Sequence, residues 1–455
     1  MSNCTAFCKS TVTFVVAVAF GALVVATATP ASGQVWGTRA VGGVVVDSGG
    51  VVRLVTVAEQ AEWVNRLRRA ATALSPELGA PTELRKVSLS SLERALAEAV
   101  TTGQPLADEV KYLAGLQRIQ YVLVFPEQND IVLAGPGEGW TINDRGDVVG
   151  ATTGKPVLRL DDLLVAFRTV EAARTESISV SIDPTPEGLR RFEQLMKRQK
   201  TFSRRVIAAI AEAIGPQQIT YTGIPTNSHF ARVLLAADHR MKRLAMNLDP
   251  SPLPGLPGYL DLLKAKRRLP KTTMPRWWMA CDYEPLVRSE DKLVWELRGR
   301  GVKVLTEDEH LAADGTRQGT GNVDPIAKEW ADRMTEHYGE LADREIVFAE
   351  LQNLMDLCVV AALISKEDLT ALAGTRGFPL LTSTQSGLEL EDWGTPKSVP
   401  TKCSFLRIGR NYVITASGGV QIESWEVASR SKVDAAVKRV RASAARSPDS
   451  CWWWN

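Results

Sequence analysis

The densest cluster of groups able to hold a cation or move a proton is Glu307, Asp308, Glu309, His310 and Asp314, in the string TEDEHLAADGT. Oxygen ligands beside an imidazole can bind a cation, and carboxylates beside a histidine can work as general acid and base. Neither HExxH nor the spacing of a calcium loop is present, so no metal is assigned. Glu307, Glu309 and His310 stand as the catalytic candidates. Other chemistries fail on missing parts. Gly135, Gly137 and Gly139 in GPGEGW follow a strand but precede another strand rather than a helix, and Pro136 removes an amide that a phosphate cradle needs. GATTGKP from Gly150 has one residue too few before its GK, and Pro156 stands where Ser or Thr is required. Ser429 and Lys432 satisfy SxxK, yet its partner motifs are absent and there is no GxSxG elbow. No cofactor is implied.

The binding candidates are Arg232, His239, Arg243 and Trp278. In the helix predicted from Ser228 to Met246, Phe230, Leu234, Ala237, Met241 and Leu244 define a buried stripe. A turn of 100° per residue puts Arg232, His239 and Arg243 on the opposite face, read as solvated and able to act as an anion-binding ridge. Asp238 and Lys242 flank the stripe as an i,i+4 pair. His229 and His239 lie about 15 Å apart along this helix and cannot chelate one metal. Trp277 and Trp278 fall on opposite faces of a strand, Trp277 toward the core and Trp278 toward a groove where it could stack on sugar or peptide. Trp452 to Trp454 have no burying pattern and are expected to dock on the body or on a partner.

These residues need elements to position them. Apolar runs at Gln120 to Phe125 and Asp130 to Ala134 read as covered strands, and WTIN, DRGD and VVGA from Trp140 read as a hairpin. Strands follow at Ser177 to Ile182 and Gln218 to Ile224, alternating with helices at Arg159 to Glu171 and Arg204 to Ile214. Four short strands are predicted between Arg276 and Leu305, then helices from Asp324 to His337 and Glu345 to Leu363. A hairpin within Cys403 to Glu426, turning at Ser417, Gly418 and Gly419, and a basic helix from Lys432 to Ala445 complete the chain. The result is an α+β fold of mixed sheets and packed helices, with no fixed-period repeat. The string DPSPLPGLPG suggests a linker at 249–258, giving domains at 34–248 and 259–446 and a tail at 447–455.

The 455 residues carry 54 Lys+Arg and 52 Asp+Glu, 45% apolar residues and 23% charged, values of an ordinary globular protein without the field that nucleic acid attracts. Thr11 to Ala28 is uncharged, follows Lys9 and precedes the small residues Ala31, Ser32 and Gly33, the pattern of a secretory signal over residues 1–33. No later segment reads as long and apolar enough to span a membrane, so membrane contact requires that the signal be retained as an anchor. Beyond the signal stand Cys281, Cys358, Cys403 and Cys451, which permit three pairings in an oxidising compartment. Cys358, in an apolar helical run, reads as a buried free thiol, and a bridge between Cys403 and Cys451 is open.

The strings SVSIDPTPEGL from Ser179, GIPTNSHFARVLLAADHRMKRLAM from Gly223, PRWWMACDYEPL from Pro275 and LVWELRGRGVKVLTEDE from Leu293 resemble the exported bacterial proteins grouped as domain of unknown function 1598. The resemblance runs from about residue 110 to about residue 370. It implies export and a shared fold, and carries no activity, cofactor or catalytic residue. Sequence alone therefore points to an exported, periplasmic or envelope protein that binds an envelope protein or polymer without catalysis, the alternative being an envelope-polymer hydrolase that uses a carboxylate cluster.

Overall fold

Two sheets, each assembled from distant parts of the chain, organise the fold. The computed structural model describes residues 39–71, 74–198, 204–270, 272–307, 309–311, 317–319, 323–444 and 451–455. The expected signal segment lies outside them. One sheet runs in the order Ser431–Val433, Leu286–Arg288, Val294–Glu296, Tyr121–Phe125, Asp130–Gly137, Thr82–Ser88 and Trp453–Trp454. The other runs Gly301–Glu307, Arg276–Asp282, Ser417–Ile422, Ile178–Asp183, Gln217–Thr222 and Ser398–Val399. Pairing is mostly antiparallel, with parallel joints between Arg276–Asp282 and Ser417–Ile422 and between Leu286–Arg288 and Ser431–Val433. Mixed sheets with helices packed on them give the α+β class that the sequence predicts.

Both sheets draw strands from either side of 249–258, and the described residues cluster as one compact unit. The Pro-rich segment is a packed turn. Leu253 and Leu256 are buried in the core, and the Asp249 carboxylate accepts from Arg240 and Arg243.

Four helices matter for the site. Thr56 and Glu59 close a capping box at the start of α1 (Val57–Ala70), each side chain bonded to the other's backbone amide. Helix α2 (Leu160–Thr169) buries Leu160 and Leu163 to Phe167. Helix α3 (His229–Ala245) begins where the Ser228 hydroxyl accepts from the Ala231 amide at 3.1 Å, and it lies on the second sheet. Helix α4 (Ile346–Lys366) packs on α2 and α3 and is buried almost throughout. By length and composition α4 could cross a membrane, against the sequence reading, but it is the core helix of this protein.

Other departures have physical causes. Ser404–Ile408 and Arg410–Ile414 form a hairpin turning at Gly409, while Gly418 and Gly419 sit inside the strand Ser417–Ile422. A side chain at either would strike a neighbouring strand, since an added Cβ would stand 1.6 Å from the Trp277 carbonyl oxygen at Gly418 and 1.9 Å from that of Val180 at Gly419. The Gly pair therefore serves close strand approach rather than a turn. The basic run is a strand at Ser431–Val433 and a short helix at Lys438–Ser443. The tryptophan tail is structural too: Trp453 pairs with Val87 and Trp454 with Lys86, and Trp452 to Trp454 are all buried. All four described cysteines are free thiols, with Cys281 and Cys358 buried.

Candidate functional site

Helices α2, α3 and α4 bring three ionisable side chains to one buried point. Asp162 lies in the first turn of α2, His229 is the first residue of α3, and Glu350 projects from α4. Both Asp162 and His229 therefore sit where free amides leave partial positive charge. The two Asp162 oxygens lie 3.0 and 2.9 Å from His229 Nδ1, and Glu350 Oε1 lies 3.9 Å from Nε2. The His229 side chain is 3% exposed and that of Glu350 13%. Burial, with Asp147 and Asp162 nearby, pushes the Glu350 carboxyl well above the usual carboxylate range. Burial thus favours its protonated form, and among the described residues its Oε2 has no hydrogen-bond partner.

A second carboxyl comes from the hairpin Trp140–Ile142/Val148–Gly150. The Asn143 amide donates to Asp147 at 3.0 Å, and the Asn143 side-chain oxygen accepts from the Asp147 amide at 2.9 Å, fixing the turn. Burial raises the Asp147 carboxyl, opposed by Asn143, Arg145, His229 and Arg159. Trp393 stands edge-to-face with His229 at 4.8 Å and carries the guanidinium groups of Arg39 and Arg159 over its ring at 5.0 and 5.3 Å. Burial works against the Arg159 charge, but Tyr112, Asp162, Glu391 and Asp161 outweigh it and hold the guanidinium above its ordinary range.

The first turn of α2 joins this cluster to a cleft of about 500 Å³. Arg159 and Asp161 face the cleft while Asp162 faces His229. Tyr112 and Trp140, edge-to-face at 5.5 Å, form one wall, and Leu67, Ala70 and Ala71 at the end of α1 line another. A concave, partly apolar space beside groups with displaced pKa values is what a catalytic or binding site requires.

The residues singled out by sequence lie elsewhere. Glu307 ends its strand half-buried. The Glu309–Leu311 backbone pairs with Arg317–Gly319, whereas the side chains of Glu309 and His310, and all of Asp308 and Asp314, lie outside the described residues. No group of three His, Cys, Asp or Glu arranged to hold a metal occurs among the described residues. Arg232 is not solvated: it is fully buried, its pKa pushed down to about 10 by burial, and one Nη donates to the Arg39 carbonyl at 2.9 Å. Helix α3 is covered on both sides, which its single apolar stripe did not reveal. Arg243 grips Asp249 with two bonds of 2.7 and 2.6 Å, and His239 is half-buried. Trp277 is core, and Trp278 is half-buried beneath Arg276 at 5.2 Å.

Sequence reasoning missed Asp147, Asp162, Glu350 and Trp393, and considered His229 only as a metal ligand. One signal was available. A glutamate inside the apolar run FAELQNLMDLCVVAALI must be buried with α4, and a buried carboxyl is costly unless it has work or a partner.

Residues 180–259 match the model of a protein family of unknown function, DUF1598. The matched stretch includes His229 and all of α3, but neither Asp162 nor Glu350. No curated protein matches the chain, and no solved structure does.

Proposed function

We propose that this chain is an exported envelope protein that hydrolyses a link in an envelope polymer by general acid and base catalysis. The observation that carries the reading is the clasp of His229 by Asp162 beside the buried Glu350, whose carboxyl burial pushes up. In such a step Glu350 gives its proton to the leaving atom as the link breaks, while His229 Nε2 takes a proton from the attacking water, its new charge held by Asp162. One water is added across one bond, and a single proton passing from the His229 imidazolium to the Glu350 carboxylate, directly or through water, resets the site. Export is supported by the charge and apolar pattern of residues 1–33.

Incubation of the mature protein with polymer fractions from its host's envelope should release new reducing ends or amino groups. His229→Gln and Glu350→Gln should each lower that release by about a hundredfold or more. No release from any fraction, or full release by both variants, refutes the reading. A non-catalytic binding role is the second reading, favoured by how deeply His229 is covered, and ligand capture without turnover would establish it.

A further inference from the structure

We infer that the cleft beside α2 takes an uncharged polyhydroxylated chain, a neutral glycan, rather than a peptide or a charged polymer. This rests on the proposed reading only in making the glycan the substrate; binding stands by itself. The cleft's cations are already engaged: Lys111 with Asp108 at 3.1 Å, Arg68 with Asp144 at 2.8 Å, and Arg159 with Glu391 at 3.9 Å. Glu391 also holds Arg39 at 3.2 Å. Among the described residues no cation lining the cleft is left unpaired to attract a polyanion, whose own charge would meet carboxylates on several walls.

Two of those carboxyls, Asp161 and Glu389, line the cleft without an ion pair among the described residues. Burial raises Asp161, with Glu391 and Asp162 adding to the rise and Arg159 opposing it. A carboxyl in this setting gains little by meeting a fixed anion and much by accepting hydroxyl hydrogen bonds, which exchange for water at small net cost. In the aromatic wall of Tyr112 and Trp140, whose planes stand 64° apart with Arg159 over the Tyr112 ring, the Trp140 indole is the apolar surface available to the C–H face of a pyranose, with Leu160 and the end of α1 beside it. Hydroxyl acceptors, an aromatic platform and mutually cancelled charges occur together here. A peptide would instead require main-chain donors and acceptors in register, and the one strand edge at the cleft, Trp140–Ile142, is three residues long with its Ile142 carbonyl already taken by Arg68 at 3.0 Å.

The experiment is titration of the full mature chain carrying Glu350→Gln, followed by tryptophan fluorescence and calorimetry. The probes are cellotetraose, chitotetraose and maltotetraose, set against tetragalacturonate, a chitosan tetramer and an alanine–lysine tetrapeptide. At least one neutral tetramer should saturate and bind more tightly than every charged probe. Trp140→Ala should weaken it by about tenfold, and Trp140→Phe, which keeps a ring, by less. Saturation by none of the neutral tetramers, tighter binding of a charged probe or the peptide, or an unchanged Kd in Trp140→Ala with an unchanged melting curve each overturns the proposal. Neutral-glycan binding with no cleavage by the wild-type chain sinks the hydrolase reading and leaves the ligand class intact. Cleavage of a peptide link does the reverse.

Discussion

Both carboxylate oxygens of Asp162 lie on Nδ1 of His229, at 3.0 and 2.9 Å, and that contact dictates how the imidazole can act. The Nδ1 proton is committed to the carboxylate, so Nε2, on the Glu350 side, is the ring atom left to exchange protons. Trp393 against the ring prevents it from turning away.

Replacing Asp162 by Asn keeps the shape but offers His229 an amide, which can settle the ring in the other tautomer. Turnover of the cleft's ligand should fall about a hundredfold or more while its Kd stays within about twofold. Kinetics paired with the imidazole nitrogen shifts of His229 test this. Unchanged turnover would show that the clasp is only structural.

Glu350 gives a pH signature. Its folded pKa lies above its unfolded value, so its stabilising contribution is complete below the unfolded pKa and disappears as pH rises toward the folded one. The wild type should therefore lose stability between acid and neutral pH relative to Glu350→Gln, by roughly 1–3 kcal/mol. Urea unfolding of both chains at several pH values gives the difference directly, and parallel curves would mean that Glu350 is not a buried neutral acid.

Adjacent residues on α3 should cancel one another. Burial pushes Asp238 up to about 6, against Lys242, and burial with Arg243 and Lys242 pushes His239 down to about 4. For Asp238 the folded state holds the extra proton, so stability falls as pH rises from its unfolded value near 3.8 to about 6. For His239 the unfolded state holds it, so stability falls as pH drops from 6.5 toward about 4. The two slopes oppose in the same window. His239→Asn should match the wild type near pH 7 and gain on it steadily toward pH 4, read as a difference in urea midpoint. A constant difference across that range would show that His239 titrates normally.

The Arg118–Asp356–Tyr283 network should be the most sensitive polar cluster. Arg118 binds Asp356 through two bonds of 2.5 and 2.9 Å, and the Tyr283 hydroxyl donates to the same carboxylate at 2.6 Å. Asp356→Ala leaves a half-buried guanidinium without its partner and should cost about 2–4 kcal/mol. Chemical denaturation measures it, and a loss under about 1 kcal/mol would show that water reaches the site.

Much of the fold was readable because its periodicities are strong. The runs at Tyr121–Phe125 and Asp130–Gly137 are apolar throughout since both faces are covered, and α3 shows its stripe. Gly418 and Gly419 misled because close strand contact and tight turns select the same residue. Arg232 misled because helical periodicity identifies one packed face and is silent on whether a second layer covers the other. The site was illegible for a different reason. Asp162 and His229 are 67 positions apart and meet because α2 and α3 pack on each other and both on α4. No local pattern encodes that meeting.

The strand Trp453–Trp454 has a consequence in time rather than in space. Asn455 reaches back to Arg85 across 370 residues of chain, and Arg85, with the Trp453 ring under its guanidinium at 5.0 Å, is otherwise satisfied by the carbonyls of Leu78, Ala80 and Ala114. During synthesis the edge strand Thr82–Ser88 must wait for Trp453–Trp454, and its Arg85 for a partner 370 residues further on, before its outer edge is covered. Through that interval an open strand edge is available to any other unfolded chain, so the yield of folded protein should depend on how long nascent chains are kept apart.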